Sequence, residues 1–364
     1  MKIKEITQFL EKIAPLNYQE SYDNSGLIVG NRENEVTSVL VCLDCTEVVV
    51  DEAIENGCNL IIAHHPIIFS GIMKLTEKNH VERTIIKAIK NDISIYAIHT
   101  NLDNVIGGVN SKIADLLDLQ NQEILSPRKD LLRKLVVYVP KENAEELKES
   151  LFNVGAGKIG NYKNCSFQTY GEGSFLPLAK AIPTIGEIGT QETVEELKIE
   201  LVFPKDIENS LINKMKKTHP YEEVSYQIYT IENALQDVGS GIVGELDHEI
   251  STLEFLNKLK SVMKTDCIRY TKIVKDTIKR VAICGGSGSF LLNKAKLVHS
   301  DIFISADFKY HEFFNADDDI IIADIGHYES EQFTKDLIYD LLINNFSKFA
   351  VLLSKANTNP INYL

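Results

Sequence analysis

Apolar and polar positions alternate along the first third of the chain with two different periods. Short apolar runs typical of buried strands are SVLVCLD, NLIIAHH and ISIYAIH, and the last of them leads into a predicted loop at TNLDN. Between and after them, apolar residues recur every three to four positions, which is typical of one face of a helix, in TEVVVDEAIENG, VERTIIKAIKND and GVNSKIADLLDL. Strands that alternate with helices in this way predict parallel strands in an α/β sheet.

The pattern changes near Ser126 and changes back near Asp237. Between these points the predicted order is β-α-β-β-α-β, the ferredoxin-like arrangement. After Asp237 the α/β rhythm returns, and DDIIIADIG predicts a late strand that is followed by a loop and a long helix. We therefore expect residues 1–127 and 237–364 to form one α/β domain, and residues 128–236 to form an inserted ferredoxin-like α+β domain.

Composition and charge narrow the possible functions. The chain has 364 residues, of which 44% are hydrophobic, an ordinary globular composition for about two domains. No apolar run approaches the ~20 residues that span a bilayer, and the N-terminus lacks the features of a signal peptide, so we expect a cytoplasmic protein without a membrane partner. A net charge of −14 disfavours nucleic acid as a partner.

Residues that bind metals occur where three predicted strands end. His64 and His65 end one strand, and Asp103 follows the next strand along the chain. His327 and Glu331 follow a late strand and are four positions apart, on one face of a predicted helix. Ligands of open α/β sheets bind outside the carboxyl ends of the strands, and imidazole with carboxylate suits zinc, manganese or iron.

The adjacent histidines suggest more than one ion. Because Pro66 favours a turn directly after His65, the two rings could diverge toward different ions. Asp103 and Glu331 could then bridge ions ~3.5–4 Å apart, as in two-metal hydrolases. A single histidine at a strand end is more often a hydrogen-bonded structural residue, so the prediction rests on the convergence of three strand ends.

Several other residues have competing interpretations. His99 is more consistent with supporting a ligand or its loop than with binding an ion. Asp307 and His311, near a fourth strand end, could handle substrate or protons, or could be ordinary surface residues. The turn CGGSGSF could cradle a phosphate through its N–H groups, although a tight turn is the simpler interpretation. His219, in THPYEEV, fits a loop better than a metal site.

Several motifs resemble the Nif-three-like family, whose members are often named GTP cyclohydrolase 1 type 2 homologues. They are YDNSGLIVG, LIIAHHPIIF, HTNLDNVIGGVN, SADFKYHE and DIGHYESE. The middle region resembles the PII- or CutA-like insert of longer members, with HPYEEV as its signature. The resemblance implies a toroidal homohexamer and a two-metal centre at His64, His65, Asp103, His327 and Glu331.

Two functions follow as hypotheses. The first is a metal-dependent hydrolase with two divalent ions per chain, which acts on a nucleotide-like substrate as a GTP cyclohydrolase or a phosphohydrolase. We expect zinc first, with iron or manganese as alternatives. The second is a hexameric regulator that binds metal or senses a small ligand without catalysis. An open coordination position distinguishes a catalytic site from a storage site.

Overall fold

The computed structural model describes all 364 residues and divides them into two compact units. The outer unit comprises residues 1–127 and 237–364, and the inserted unit comprises residues 128–236. No helix of the protein combines the length and the apolar character that crossing a bilayer requires.

The protein contains eleven α-helices and fifteen strands. The helices are α1 (Ile3–Ile13), α2 (Glu47–Glu55), α3 (His80–Lys90), α4 (Thr100–Asp103), α5 (Val109–Leu116), α6 (Ala144–Phe152), α7 (Glu208–Thr218), α8 (Thr252–Val262), α9 (Leu292–Leu297), α10 (His327–Glu331) and α11 (Thr334–Ile343). The strands are β1 (Gly26–Val29), β2 (Ser38–Asp44), β3 (Leu60–His65), β4 (Ser94–Ala97), β5 (Gln120–Arg128), β6 (Leu132–Pro140), β7 (Phe167–Phe175), β8 (Glu192–Pro204), β9 (Tyr226–Thr230), β10 (Leu235–Ser251), β11 (Arg269–Tyr270), β12 (Thr277–Ser287), β13 (Ile302–Ala306), β14 (Ile321–Asp324) and β15 (Ala350–Leu353).

The outer unit is an α/β structure built on two sheets. A five-stranded sheet has the order β1-β4-β3-β2-β15, and all of its neighbours are parallel except β1 and β4. A six-stranded sheet has the order β11-β14-β13-β12-β10-β5, in which β12, β13 and β14 run parallel. The predicted parallel α/β strands are confirmed, but the hydrophobic pattern did not show that they belong to two sheets.

The parallel strands are buried up to the point where their polar ends begin. In β3, residues 60–63 are fully buried, and the strand ends with His64 and His65. Asp44 ends β2 and pairs in register with His65. Apolar side chains on both faces are expected for a parallel strand that is covered on both sides. The polar groups of neighbouring strands consequently meet at one edge of the sheet.

Two local predictions are wrong in detail. The segment after β4, expected to be a loop, contains the short helix α4, which ends at Asp103. The long helix expected after β14 is two helices, α10 and α11, separated at Gln332 and Phe333. In both places a helical turn lies next to predicted ligands, and it brings residues three and four positions apart close together.

The inserted unit has one sheet of four strands and its own core. The sheet order is β7-β8-β6-β9, and each pair of neighbours is antiparallel. The elements follow the predicted order β-α-β-β-α-β. Alternate residues of β6 and β8, such as Leu135, Val137 and Ile199, pack with residues of α6 and α7, such as Leu147 and Leu211, in a single apolar cluster.

Candidate metal centre

One ring nitrogen of His64 has a hydrogen-bond partner, and the other has none. The ring is fully buried, and its Nδ1 lies 2.8 Å from the carbonyl oxygen of Ile98, to which it donates. Its Nε2 has no hydrogen-bond partner, and neither has the buried Oδ1 of Asp103, 3.6 Å away. Unpartnered buried polar atoms are rare in folded proteins. Two that face each other are well suited to bind a cation between them.

His65 and His327 are held in the same way, each with a carboxylate at Nδ1 and Glu331 at Nε2. Nδ1 of His65 lies 2.7 Å from Oδ1 of Asp44, and Nδ1 of His327 lies 2.7 Å from Oδ2 of Asp307. Their Nε2 atoms lie 2.9 Å and 3.2 Å from Oε2 of Glu331. A carboxylate behind each ring fixes its orientation, as is common for metal-binding histidines.

Glu331 lies between the two groups of donors. Its side chain is 3% exposed. Oε2 faces His65 and His327, whereas Oε1 lies 4.0 Å from Nε2 of His64. Two sets of three potential ligands result, and Glu331 belongs to both: His65 with His327, and His64 with Asp103.

Gly286 makes room for this carboxylate. Its φ is +61°, and a Cβ atom there would lie 2.4 Å from Oε1 of Glu331. The N–H groups of Gly285 and Gly286 donate to Asn110 (2.8 Å) and Ser330 (2.9 Å). The expected tight turn is not observed: Gly285 and Gly286 lie in the last part of β12, where its pairing with β13 shifts register between Ile283 and Ser287. Their two N–H groups are not available to a phosphate.

His99 lies beside both groups. It forms a third set of potential ligands with His64 and His65. Its Nδ1 lies 2.8 Å from Oδ1 of Asp23, whose other oxygen accepts a short hydrogen bond from the hydroxyl of Thr100. The ring is thus held like the others, and its remaining nitrogen faces the site.

The ionisation of the site without an ion follows from burial and pairing. Burial lowers the pKa of His64 to about 3. Burial would lower the pKa of His65 and His327 as well, but their hydrogen bonds to carboxylates outweigh it and raise these pKa values to about 10 and about 11. Burial and the charge of Glu331 raise the pKa of Asp103 well above its ordinary value. Since only neutral rings bind metals, His65 and His327 must release protons on metal binding.

The site opens into a cavity of about 1460 Å³. This volume exceeds the roughly 300–1,000 Å³ of typical small-molecule pockets. The rings of Tyr22, Phe69 and Phe290 line it and remain 68%, 57% and 66% exposed. The C-terminal residues Thr358 and Ile361 line another part of its wall.

The five predicted ligands and His99 lie together, and Asp307 supports His327. His311 is exposed on a 3₁₀-helix, Tyr310–Ala316, against the rings of Tyr310 and Phe314, and it does not line the cavity. Sequence reasoning missed Asp44 and Asp23. Asp44 could have been found, because it ends a predicted strand as His65 does.

The fit of a metal ion to these residues rests on their own chemistry. Imidazole nitrogens and carboxylate oxygens converge, with two buried donor atoms unpartnered and a glycine clearing space for Glu331. Such donors suit first-row divalent ions. The fold and the site thus define an α/β protein with clusters of histidine and carboxylate that could hold metal ions.

The chain belongs to the Duf34/NIF3 (NGG1p interacting factor 3) family, whose model matches residues 1–360. This confirms the resemblance inferred from the motifs. A Bacillus subtilis protein named GTP cyclohydrolase 1 type 2 homolog is 40% identical over 367 residues, 99% of this chain and 98% of the relative. The crystal structure of a Bacillus cereus protein related to NIF3 aligns with a TM-score of 0.85 at 35% identity, and covers 100% of this chain and 99% of that one. A Staphylococcus aureus crystal structure aligns with a TM-score of 0.80 at 33% identity and the same coverage.

Proposed function

We propose that this protein is a dinuclear metal-dependent hydrolase that acts on a nucleotide-like substrate. The observation that carries the proposal is the position of Glu331, whose two oxygens face two separate sets of donors. A carboxylate with donors on both oxygens suits a bridge between two ions ~3.5–4 Å apart. The proposed ligands are His64, His65, Asp103, His327 and Glu331.

The two proposed ions have different surroundings. One would take Nε2 of His64, Oδ1 of Asp103 and Oε1 of Glu331. The other would take Nε2 of His65 and His327 together with Oε2 of Glu331. We propose zinc, since three nitrogen donors and two carboxylates are typical of its sites; iron and manganese accept the same donors.

The protein's own residues prepare the site for hydrolysis. Asp44 and Asp307 hold the rings of His65 and His327 so that their Nε2 atoms face inward. His99, held by Asp23, is placed to hold or move a proton at its inward nitrogen. Bound divalent ions would supply Lewis-acid chemistry and the activation of water at neutral pH.

The cavity supports a substrate of nucleotide size. Its volume of about 1460 Å³ is ample, and the exposed rings of Tyr22 and Phe69 offer faces for a planar base. Several relatives carry GTP cyclohydrolase in their names. For this chain, ring opening of a purine nucleotide and hydrolysis of a phosphate ester are the two versions of the proposal.

A panel of nucleotides tests the function on protein of defined metal content. We expect turnover of at least one nucleotide by zinc-loaded protein and none by His65→Ala. His311→Ala is the matched control, since it removes an exposed histidine outside the cavity and should keep full activity. Absence of turnover across the panel with zinc, iron and manganese would contradict the hydrolase proposal.

The inserted unit favours a second candidate, a regulator that senses a small ligand. This unit has a cavity of its own of about 640 Å³, lined by aromatic residues such as Tyr138, Phe175 and Tyr221. We propose that it is a ferredoxin-like domain of the PII or CutA type that folds independently and does not contribute to metal binding. Deletion of residues 128–236 should then leave the metal content per chain unchanged, and loss of all metal from a folded deletion protein would contradict this.

Assembly and location extend the proposal from the family resemblance. We propose a toroidal homohexamer in the cytoplasm, with the metal centres facing an internal space. A ring of this kind would restrict access to the ions. Light scattering of the purified protein should give the mass of six chains, and a stable monomer at micromolar concentration would contradict the hexamer.

A further inference from the structure

The C-terminal segment, residues 354–364, forms part of the wall of the metal cavity. It follows β15 and contains no helix or strand. Residues 358–361 line the cavity. The segment is therefore placed to act on the site, although it contains none of the proposed ligands.

Thr358 connects this segment to His65. Its hydroxyl donates to Oδ2 of Asp44 at 2.6 Å, and Oδ1 of the same carboxylate accepts from Nδ1 of His65 at 2.7 Å. The opposite nitrogen of His65 faces Glu331. A continuous line of hydrogen bonds thus runs from the C-terminal segment to one proposed ligand, and the Thr358 hydroxyl restricts rotation of the Asp44 carboxylate.

Asn359, the next residue, connects the segment to α10. Its Nδ2 donates to Oε1 of Glu329 at 2.9 Å. Glu329 is only 5% exposed and lies on α10 between His327 and Glu331. Two successive residues of the segment therefore contact β2, whose Asp44 holds the ring of His65, and α10, which carries His327 and Glu331.

The other set of donors is held differently. Nδ1 of His64 donates to the backbone carbonyl of Ile98, and the ring is fully buried. Asp103 is the last residue of α4. A backbone carbonyl inside the core cannot rotate as a partly exposed carboxylate can, so His64 has a more rigid support than His65.

We propose that the C-terminal segment sets the affinity of one ion of the pair, the ion held by His65, His327 and Glu331, and that Thr358 is its positioning residue. The inference rests on the dinuclear centre proposed above, but it does not depend on catalysis. The other ion would take His64, Asp103 and Oε1 of Glu331, and none of these is hydrogen-bonded to Thr358 or to Asp44. The two ions consequently differ in affinity, and the segment controls the difference.

Metal titration of the full-length protein tests this inference. The variants are Thr358→Val, which keeps the side-chain shape without the hydroxyl, and Thr358→Ser, which keeps the hydroxyl. Ser354→Ala is the matched control: it removes a hydroxyl at the start of the segment that donates to Oε2 of Glu52 on α2 at 2.6 Å, outside the cavity and away from Asp44 and α10. Zinc affinities are measured by competition with a chelator, and cobalt spectra report the coordination of each ion.

We expect Thr358→Val to weaken one ion by about tenfold, the lower end of the effect of losing an outer partner of a metal ligand. The affinity of the other ion should stay at the wild-type value. Thr358→Ser should restore both affinities, and the cobalt spectrum of Thr358→Val should change for the weaker ion alone. Ser354→Ala should leave both affinities and the spectrum unchanged.

Three results would overturn the inference: wild-type affinities in Thr358→Val, equal weakening of both ions, or the same loss in Ser354→Ala. Failure of Thr358→Ser to restore the affinity would overturn the role of the hydroxyl. A wild-type protein that binds fewer than two ions would overturn the dinuclear centre as well. Two bound ions without nucleotide turnover would overturn the hydrolase alone and leave the inference intact.

Discussion

His64 in the outer unit and His219 in the inserted unit are both buried histidines, and each has one ring nitrogen against a backbone carbonyl. Nδ1 of His64 lies 2.8 Å from Ile98, and Nε2 of His219 lies 2.8 Å from Tyr138. They differ at the second nitrogen. Nδ1 of His219 accepts the N–H of Tyr221 at 3.1 Å, whereas Nε2 of His64 has no partner.

This difference separates a structural histidine from a candidate ligand. Burial lowers the pKa of both rings, so neutrality alone does not distinguish them. A buried ring with both nitrogens hydrogen-bonded has no unsatisfied polar atom, as is usual in a protein core. A neutral ring whose free lone pair points at carboxylates still lacks a partner, and a metal ion supplies it.

The largest expected effect is that of Glu331→Gln, which removes the charge that both sets of donors share. The affinity for each ion should fall by more than the roughly 10–100-fold that is typical of losing an outer partner of a metal ligand. Metal analysis after gel filtration measures the loss. A variant that keeps two ions at wild-type affinity would show that Glu331 does not bridge them. The contrast between His64 and His219 would then lose its link to a dinuclear centre.

The second prediction sets the two buried histidines directly against each other. His64→Ala should lose one ion and keep the ion of His65 and His327, while His65→Ala should lose the other. His219→Ala should keep both ions but destabilise the fold by roughly 1–3 kcal/mol, because its two backbone partners become unsatisfied. Metal content and urea unfolding measured on all three variants decide the result.

Two findings would contradict that assignment. If His64→Ala retained two ions, its unpartnered nitrogen would be a structural defect rather than a ligand. If folded His219→Ala protein lost metal, the hydrogen-bond partners of the ring nitrogens would not distinguish a structural histidine from a metal ligand.

Third in expected size is Gly286→Ala. The added Cβ atom would lie 2.4 Å from Oε1 of Glu331, so the carboxylate must move. We expect weaker binding mainly of the ion that faces Oε1, together with a backbone cost of about 1–2 kcal/mol for a left-handed alanine. Gly107→Ala is the matched control, because Gly107 has φ +78° and a Cβ atom there would meet no other atom within 4 Å. Equal metal affinities in Gly286→Ala and Gly107→Ala would contradict the prediction that the added Cβ atom displaces the Glu331 carboxylate.

The ends of the parallel strands were predictable from the sequence because strand periodicity and strand length locate them. The apolar run before His64 indicated a buried strand, and the spacing of His327 and Glu331 indicated one helix face. His311 shows the limit of the strand-end rule. It follows β13 by five residues, but a 3₁₀-helix carries it to an exposed position.

Contacts between distant parts of the chain were not predictable. Thr358 and Asp44 are 314 positions apart, and their hydrogen bond depends on β15 joining β2 in parallel register. Hydrophobic periodicity gives the face and length of a strand, but not its neighbour. For the same reason, the sequence pattern did not show that β12, β13 and β14 belong to a separate sheet.

The smallest expected effect is a pH dependence in the inserted unit, and it tests whether His219 is structural. Burial lowers the pKa of its ring below 6.5, although the hydrogen bond to Tyr138 opposes this. Below pH 6.5 the unfolded chain therefore takes up a proton that the folded ring does not, so stability falls with pH until the lower pKa of the folded ring is reached. His219→Gln cannot titrate there and should lack this contribution. Hydrogen exchange of β6 between pH 7.5 and 5.5, corrected for the intrinsic rate, measures the local free energy of opening. Equal pH slopes in the wild type and His219→Gln would show that His219 is not held neutral by the fold, and the contrast with His64 would then rest on geometry alone.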